Sequence, residues 1–375
     1  MFWISVRGHI VKIAGIQYLR AIAAIGVVIA HAAGMASFDK YFGVKPPLYD
    51  FLSTGTLGVP LFFGISGFII IVSSTKAGSL EPKKGFREYL FARCVRILPM
   101  MWLAIGSYAA LRFLGRGSFD LIPYINASLL LPFGNFEPNN IWTLRHEAMF
   151  YLVFGLSFLL SRRLWPMLVA WLTAPVLLAL AGSPLSVESN SIVEQSLANF
   201  FSVANVFFGG GVLAGVAYRK YHHVFEKVSA SSFGHAQRWW ILAILFALSM
   251  LLFDSRSDAT NNILHIAIFF TATIFVGALE GKSFNKYLYY IGNASYAIYL
   301  FHPHVQSATL GILAKLVPSL HIVAVIVIVS IVSTLAGCII YSFVEKPLTT
   351  FLHRKISARG NIPPPAPIIV QGTTA

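Results

Sequence analysis

The sequence predicts an all-α fold, a polytopic bundle of transmembrane helices, and three observations carry that prediction. Of the 375 residues 57% are hydrophobic and only 11% are charged, whereas a soluble domain carries about 25% charged residues. Apolar runs of ~18 residues or more recur along the whole chain, and as helices they are long enough to cross the hydrocarbon of a bilayer. A closed β-barrel, the other way of satisfying the backbone in lipid, needs alternating residues over ~10-residue strands, and these runs do not alternate.

Ten segments are expected to span, near 13–33, 56–74, 97–114, 142–160, 164–181, 198–218, 238–253, 262–279, 289–312 and 318–343. The apolar stretch 121–133 (LIPYINASLLLPF) is interrupted by Pro123 and Pro132, so it is expected to lie at the interface or to re-enter without crossing. The connecting loops alternate in charge. One side carries Arg7 and Lys12, then Lys76, Lys83, Lys84 and Arg87, then Arg162 and Arg163, Arg219 and Lys220, Lys282 and Lys286, and Lys346 and Arg354. The other carries Asp39 and Asp50, Asp120 and Glu137, Glu188 and Glu194, and Asp254 and Asp258. The positive side is the inner one, so both termini are expected in the cytoplasm. The net charge of +14 then sets topology, and no nucleic-acid partner is expected. Residues 1–12 form a cytoplasmic segment, 13–347 one membrane domain, and 348–375 a cytoplasmic tail expected to be disordered, since it is proline-rich beyond Arg359. Cys94 and Cys338 lie far apart and form neither a disulfide framework nor a CxxC metal site.

The first span, YLRAIAAIGVVIAHAAG over 18–34, carries Arg20 and His31 eleven residues apart. Eleven residues is just over three helical turns, so both project from one face, roughly 16 Å apart along the axis. An arginine in hydrocarbon costs several kcal/mol unless it is paired or faces water, and by default marks a functional site. The third span opens with REYLFARCVRILPMMW, where Arg93 and Arg96 share a face at i and i+3. Guanidinium pairs of this kind suit phosphate oxygens, which each can grip bidentately. Arg20, Arg93 and Arg96 can together line a cationic site for an anionic cofactor, with His31 at its far end.

Arginine, ten residues and histidine in the first span, then RxxR at the third, resembles the membrane acyltransferase-3 family. LFFGISGFII (61–70), IWTLRHEAMFYLVF (141–154) and YIGNASYAIYLFHP (290–303) are similar to further segments of that family, in family order. The wording WTLxxExxFYL is nearest its exopolysaccharide-production branch; the charged pair Arg145 and His146 departs from it. The resemblance implies a membrane O-acyltransferase of a bacterial inner membrane. It would move an acyl group, most commonly acetyl, from cytoplasmic acyl-CoA to a sugar hydroxyl of an exported polysaccharide or lipid-linked glycan. It also implies Arg20, Arg93 and Arg96 as donor-binding residues and His31 as the catalytic group, and it is the main support for Ser295 and Tyr296 as ligand-binding residues.

Near neutral pH an imidazole can deprotonate a hydroxyl or carry an acyl group; the residues alone do not choose between them. Glu147 is expected either to orient His31 or to bind a sugar hydroxyl, with a local ion pair to Arg145 or another basic residue as the structural alternative. Trp142 is expected to stack on a sugar ring or to anchor the interface. Ser66 and Gly67 are expected to permit close helix packing, and Gly209–Gly211 to form a packing or hinge site. His302 and His304 flank Pro303 without matching carboxylates, so no metal is expected. The competing functions are a transporter or flippase for a lipid-linked saccharide and a structural subunit of an export machine; self-association is compatible with all three.

Overall fold

The computed structural model describes residues 4–6, 9–11, 13–76, 78–83, 85–116, 120–182, 185, 187–221, 223–224, 259–278 and 285–358. The expected span at 238–253 and the tail beyond residue 358 lie outside them. A short antiparallel ribbon, β1 (Ile4–Val6) with β2 (His9–Val11), precedes the first helix. All the remaining regular structure among the described residues is helical.

Helix α1 (Ala14–Ala36) leads to a short α2 (Tyr49–Ser53) and through one 3₁₀ turn into α3 (Gly58–Ser74). The long α4 (Phe86–Arg116) contains Pro99 and is followed by α5 (Ile122–Leu129). Eight residues cannot cross a bilayer, so α5 is the non-spanning piece that its flanking prolines foreshadow. Next come α6 (Trp142–Phe154), extended by a π-helical turn over Gly155–Leu159, then α7 (Trp165–Leu180), α8 (Ile192–Phe200) and α9 (Ala204–Lys220). The series ends with α10 (Ala259–Ala278), α11 (Lys286–Leu316), α12 (Ile322–Ile340), a second π turn at Tyr341–Glu345, and α13 (Lys346–Ala358).

The expected segments within the described residues lie largely on helices; that at 198–218 runs from the end of α8 across residues 201–203 into α9, and that at 318–343 begins in the turn before α12. Among those residues five helical stretches are long and apolar enough to cross a membrane: Ala14–Ala36, Tyr49–Ser74, Phe86–Leu114, Ile192–Lys220 and Ile322–Leu352. Trp165–Leu180 and Asn262–Ala278 are apolar but shorter.

Two close crossings set the interior. α3 packs on α9, and a Cβ on Gly67 would run into the Phe208 carbonyl oxygen while one on Gly211 would run into that of Gly64. With lipid outside, such contact comes from backbones approaching through small residues. α1 packs along α11, where Gly292 lies against the Gln17 carbonyl and Ala24 and Val28 meet Ala294, Ala297 and Ile298. α1 and α11 run in the same direction: Tyr18, near the start of α1, accepts from the Asn285 amide at the cap of α11, and Gln306 reaches Val28 farther along both helices.

Candidate active site

A cavity lies inside the bundle, walled by α1, α3, α4, α6 and α11. Each helix contributes polar groups at matching depth. α1 brings Arg20, α3 Ser66, α4 Arg93 and Arg96, α6 Thr143, Glu147 and Tyr151, and α11 Ser295, Tyr296 and Tyr299. Six residues expected at the site, Arg20, Arg93, Arg96, Glu147, Ser295 and Tyr296, therefore meet in one chamber.

The arginines are held individually. Arg20 is 7% exposed and donates to Gln17 Oε1 at 3.4 Å, one turn earlier on its own helix. Arg93 donates to Ser73 Oγ at 2.7 Å, and its guanidinium stands 5.5 Å from the ring centres of both Tyr89 and Tyr151. Cation–ring contacts of this kind stabilise a desolvated charge. Three guanidinium groups face one carboxylate among the lining residues, so the chamber favours an anion.

Glu147 Oε1 accepts from Ser66 Oγ at 2.5 Å and from Tyr151 OH at 2.9 Å. Ser66 thus turns its hydroxyl to the site, while its neighbour Gly67 makes the helix crossing. Arg145 is not the partner of Glu147. It donates to Asn199 Oδ1 at 3.0 Å and to the Gly134 carbonyl at 2.9 Å, with its guanidinium 3.8 Å from the Phe136 ring centre. Residues at i and i+2 on a helix do not face each other, which is why the expected local ion pair does not form. Tyr296 OH donates to the Ile97 carbonyl at 2.8 Å and ties α11 to α4. Ser295 Oγ is fully buried in the cavity wall and has no hydrogen-bond partner among the described residues. A hydroxyl buried without a partner is costly, and a polar ligand atom there would satisfy it. Trp142 lies outside the wall: it is 38% exposed and meets Phe63 and His146 edge-on.

His31 is half-buried and lies beyond the cavity, farther along α1. Its Nδ1 stands 2.7 Å from Nε2 of His302 on α11, so the ring faces the bundle. His302, not Glu147, is the residue that holds it. Between chamber and histidines lie Phe62 and Tyr299, ring centres 6.1 Å apart and edge to face. Phe62 packs beside Ala24 and Val28, the part of α1 between Arg20 and His31. Among the described residues no group of three or more His, Cys, Asp or Glu side chains could hold a metal ion. The sequence reading missed His302, Thr143, Tyr151 and Tyr299 as site residues. All four lie in segments that resemble the family, Thr143 and Tyr151 in 141–154 and Tyr299 and His302 in 290–303, and His302 is further marked by the proline that follows it.

Fold and chamber together define a helical membrane protein whose buried polar interior favours negative charge. The chain belongs to the acyltransferase-3 family: the model of the family's acyltransferase domain matches residues 13–343, so the protein is an acyltransferase. It is 27% identical over 307 residues to the exopolysaccharide production protein ExoZ of Rhizobium meliloti (strain 1021), a match covering 78% of this chain and 89% of that protein. No solved structure matches the chain.

Proposed function

We propose that the protein is a membrane O-acyltransferase that takes an acyl group, acetyl by preference, from cytoplasmic acyl-CoA and delivers it to a sugar hydroxyl of an exported polysaccharide or a lipid-linked glycan. The observation that supports this most directly is the three-arginine chamber, to which the helix that carries His31 contributes Arg20, with that histidine facing inward. The sugar acceptor rests on the likeness to a protein of exopolysaccharide production. The setting we propose is a bacterial inner membrane crossed ten times, with both termini in the cytoplasm, so that Arg20 lies toward the inside and His31 toward the outside.

In this reading Arg93 and Arg96, with Arg20 behind them, hold the phosphates of the donor. The pantetheine arm lies along α1 toward His31, over roughly 16 Å. Nε2 of His31 takes the proton of the acceptor hydroxyl as its oxygen attacks the thioester carbonyl. The oxygen–acyl bond forms, the carbon–sulfur bond breaks, and the departing thiolate takes the proton from the imidazolium.

Membranes given labelled acetyl-CoA and the acceptor glycan test the proposal, with the product read by mass spectrometry. His31→Ala should abolish transfer while the protein stays in the membrane; full activity in that variant rejects the assignment. Arg93→Ala removes a charge-assisted contact of about 1.5–3 kcal/mol, so the KM for the donor should rise roughly 10- to 100-fold with a smaller change in kcat. Glycan that is moved but carries no label would replace the enzyme with a flippase.

A further inference from the structure

We propose that His302 is the positioning residue of His31, and that Pro303 is what fits it for that role; this rests on the reading of His31 as the group that takes the hydroxyl proton. Proline has no N–H, so inside a helix it leaves the carbonyl four residues earlier without its usual donor. Pro303 lies inside α11, and the carbonyl it releases is that of Tyr299. Two side chains occupy that carbonyl: Nδ1 of His302 at 2.8 Å and Nδ2 of Asn140 at 2.8 Å.

A carbonyl oxygen only accepts, so Nδ1 of His302 carries a hydrogen. In the neutral ring Nε2 is then the acceptor. The atom 2.7 Å from it is Nδ1 of His31, which must donate. That leaves Nε2 of His31 with its lone pair, the form needed to take a proton or to carry an acyl group. Three groups therefore fix one tautomer, in the order Tyr299 carbonyl, His302 ring, His31 ring. The pair is held rigidly. His302 is fully buried, and one turn farther along α11 Gln306 donates from Nε2 to the Val28 carbonyl at 2.7 Å, which sets the register of α11 on α1. His304, two residues on, is engaged elsewhere, near Ser107 and the Ala104 carbonyl, so the assignment is specific to His302.

Two measurements test this. In the first, donor KM and kcat are compared for His302→Gln, which keeps an acceptor oxygen near the place of Nε2, and for His302→Leu, which keeps bulk but no acceptor. The expected result is a kcat within about tenfold of wild type for the glutamine and a loss of about 100-fold or more for the leucine, both with nearly unchanged donor KM. Equal losses in the two variants, or a leucine variant close to wild type, overturn the proposal. If His31→Ala is inactive while His302→Leu is not, the positioning role alone fails; if His31→Ala is active, the reading beneath it fails. The second measurement needs no variant: nitrogen chemical shifts of ¹⁵N-histidine in the intact protein in lipid. A protonated Nδ1 and bare Nε2 on His31 are expected, and the opposite assignment overturns the proposal.

Discussion

Glu147 sits among three arginines, and its two hydrogen bonds come from neutral hydroxyls, Ser66 and Tyr151. A carboxylate in that position offsets the repulsion between cations in a poorly solvated chamber. Glu147→Gln should keep one acceptor oxygen but lose the charge. The expected result is a lower thermal midpoint in detergent, by the equivalent of about 1–3 kcal/mol, with part of it restored when the anionic donor is added; a midpoint that neither falls nor responds to donor would show that the carboxylate is not balancing the arginines. At this scale the cations were legible in the sequence, because an arginine inside an apolar run is conspicuous and helical period gives its face. The hydrogen-bonding partners were not. His31 and His302 are 271 residues apart in the chain, and nothing local in either segment encodes that meeting. The proline after His302 announces only a free carbonyl one turn back on its own helix, and does not name His31 as the partner.

Between elements, the decisive contacts are glycine crossings. α3 carries Ser66 and Phe62 into the site and is pressed against α9 through Gly64, Gly67 and Gly211. Gly211→Val places branched bulk against backbone that cannot yield by rotating a side chain. Overpacking of this sort costs typically 1–3 kcal/mol or more, so a lowered unfolding midpoint and reduced donor binding are expected together; unchanged values for both would mean that α3 and α9 tolerate separation. Helix existence was readable from hydropathy at every described segment, because the apolar length a bilayer requires leaves little choice of secondary structure. Which helices touch was less readable: small-residue patterns mark a close surface without naming the partner. The non-spanning character of α5 was legible for a local reason, its two prolines.

Taken as a whole, five helices deliver polar groups to one chamber, yet the chamber stops at Phe62 and Tyr299, short of His31. If those rings form the barrier, Phe62→Ala should raise release of free thiol from the donor in the absence of acceptor, as water gains access to the thioester; a rate equal to wild type would place the barrier elsewhere. An energised membrane holds about 2.3 kcal/mol per elementary charge at 100 mV, and an open water-filled bore through it would discharge that gradient. As such a barrier, two aromatic rings resting edge to face would part for a slender chain during one turnover and reseal behind it. The same stopper that makes the enzyme wait for its substrate would spare the cell a proton short circuit.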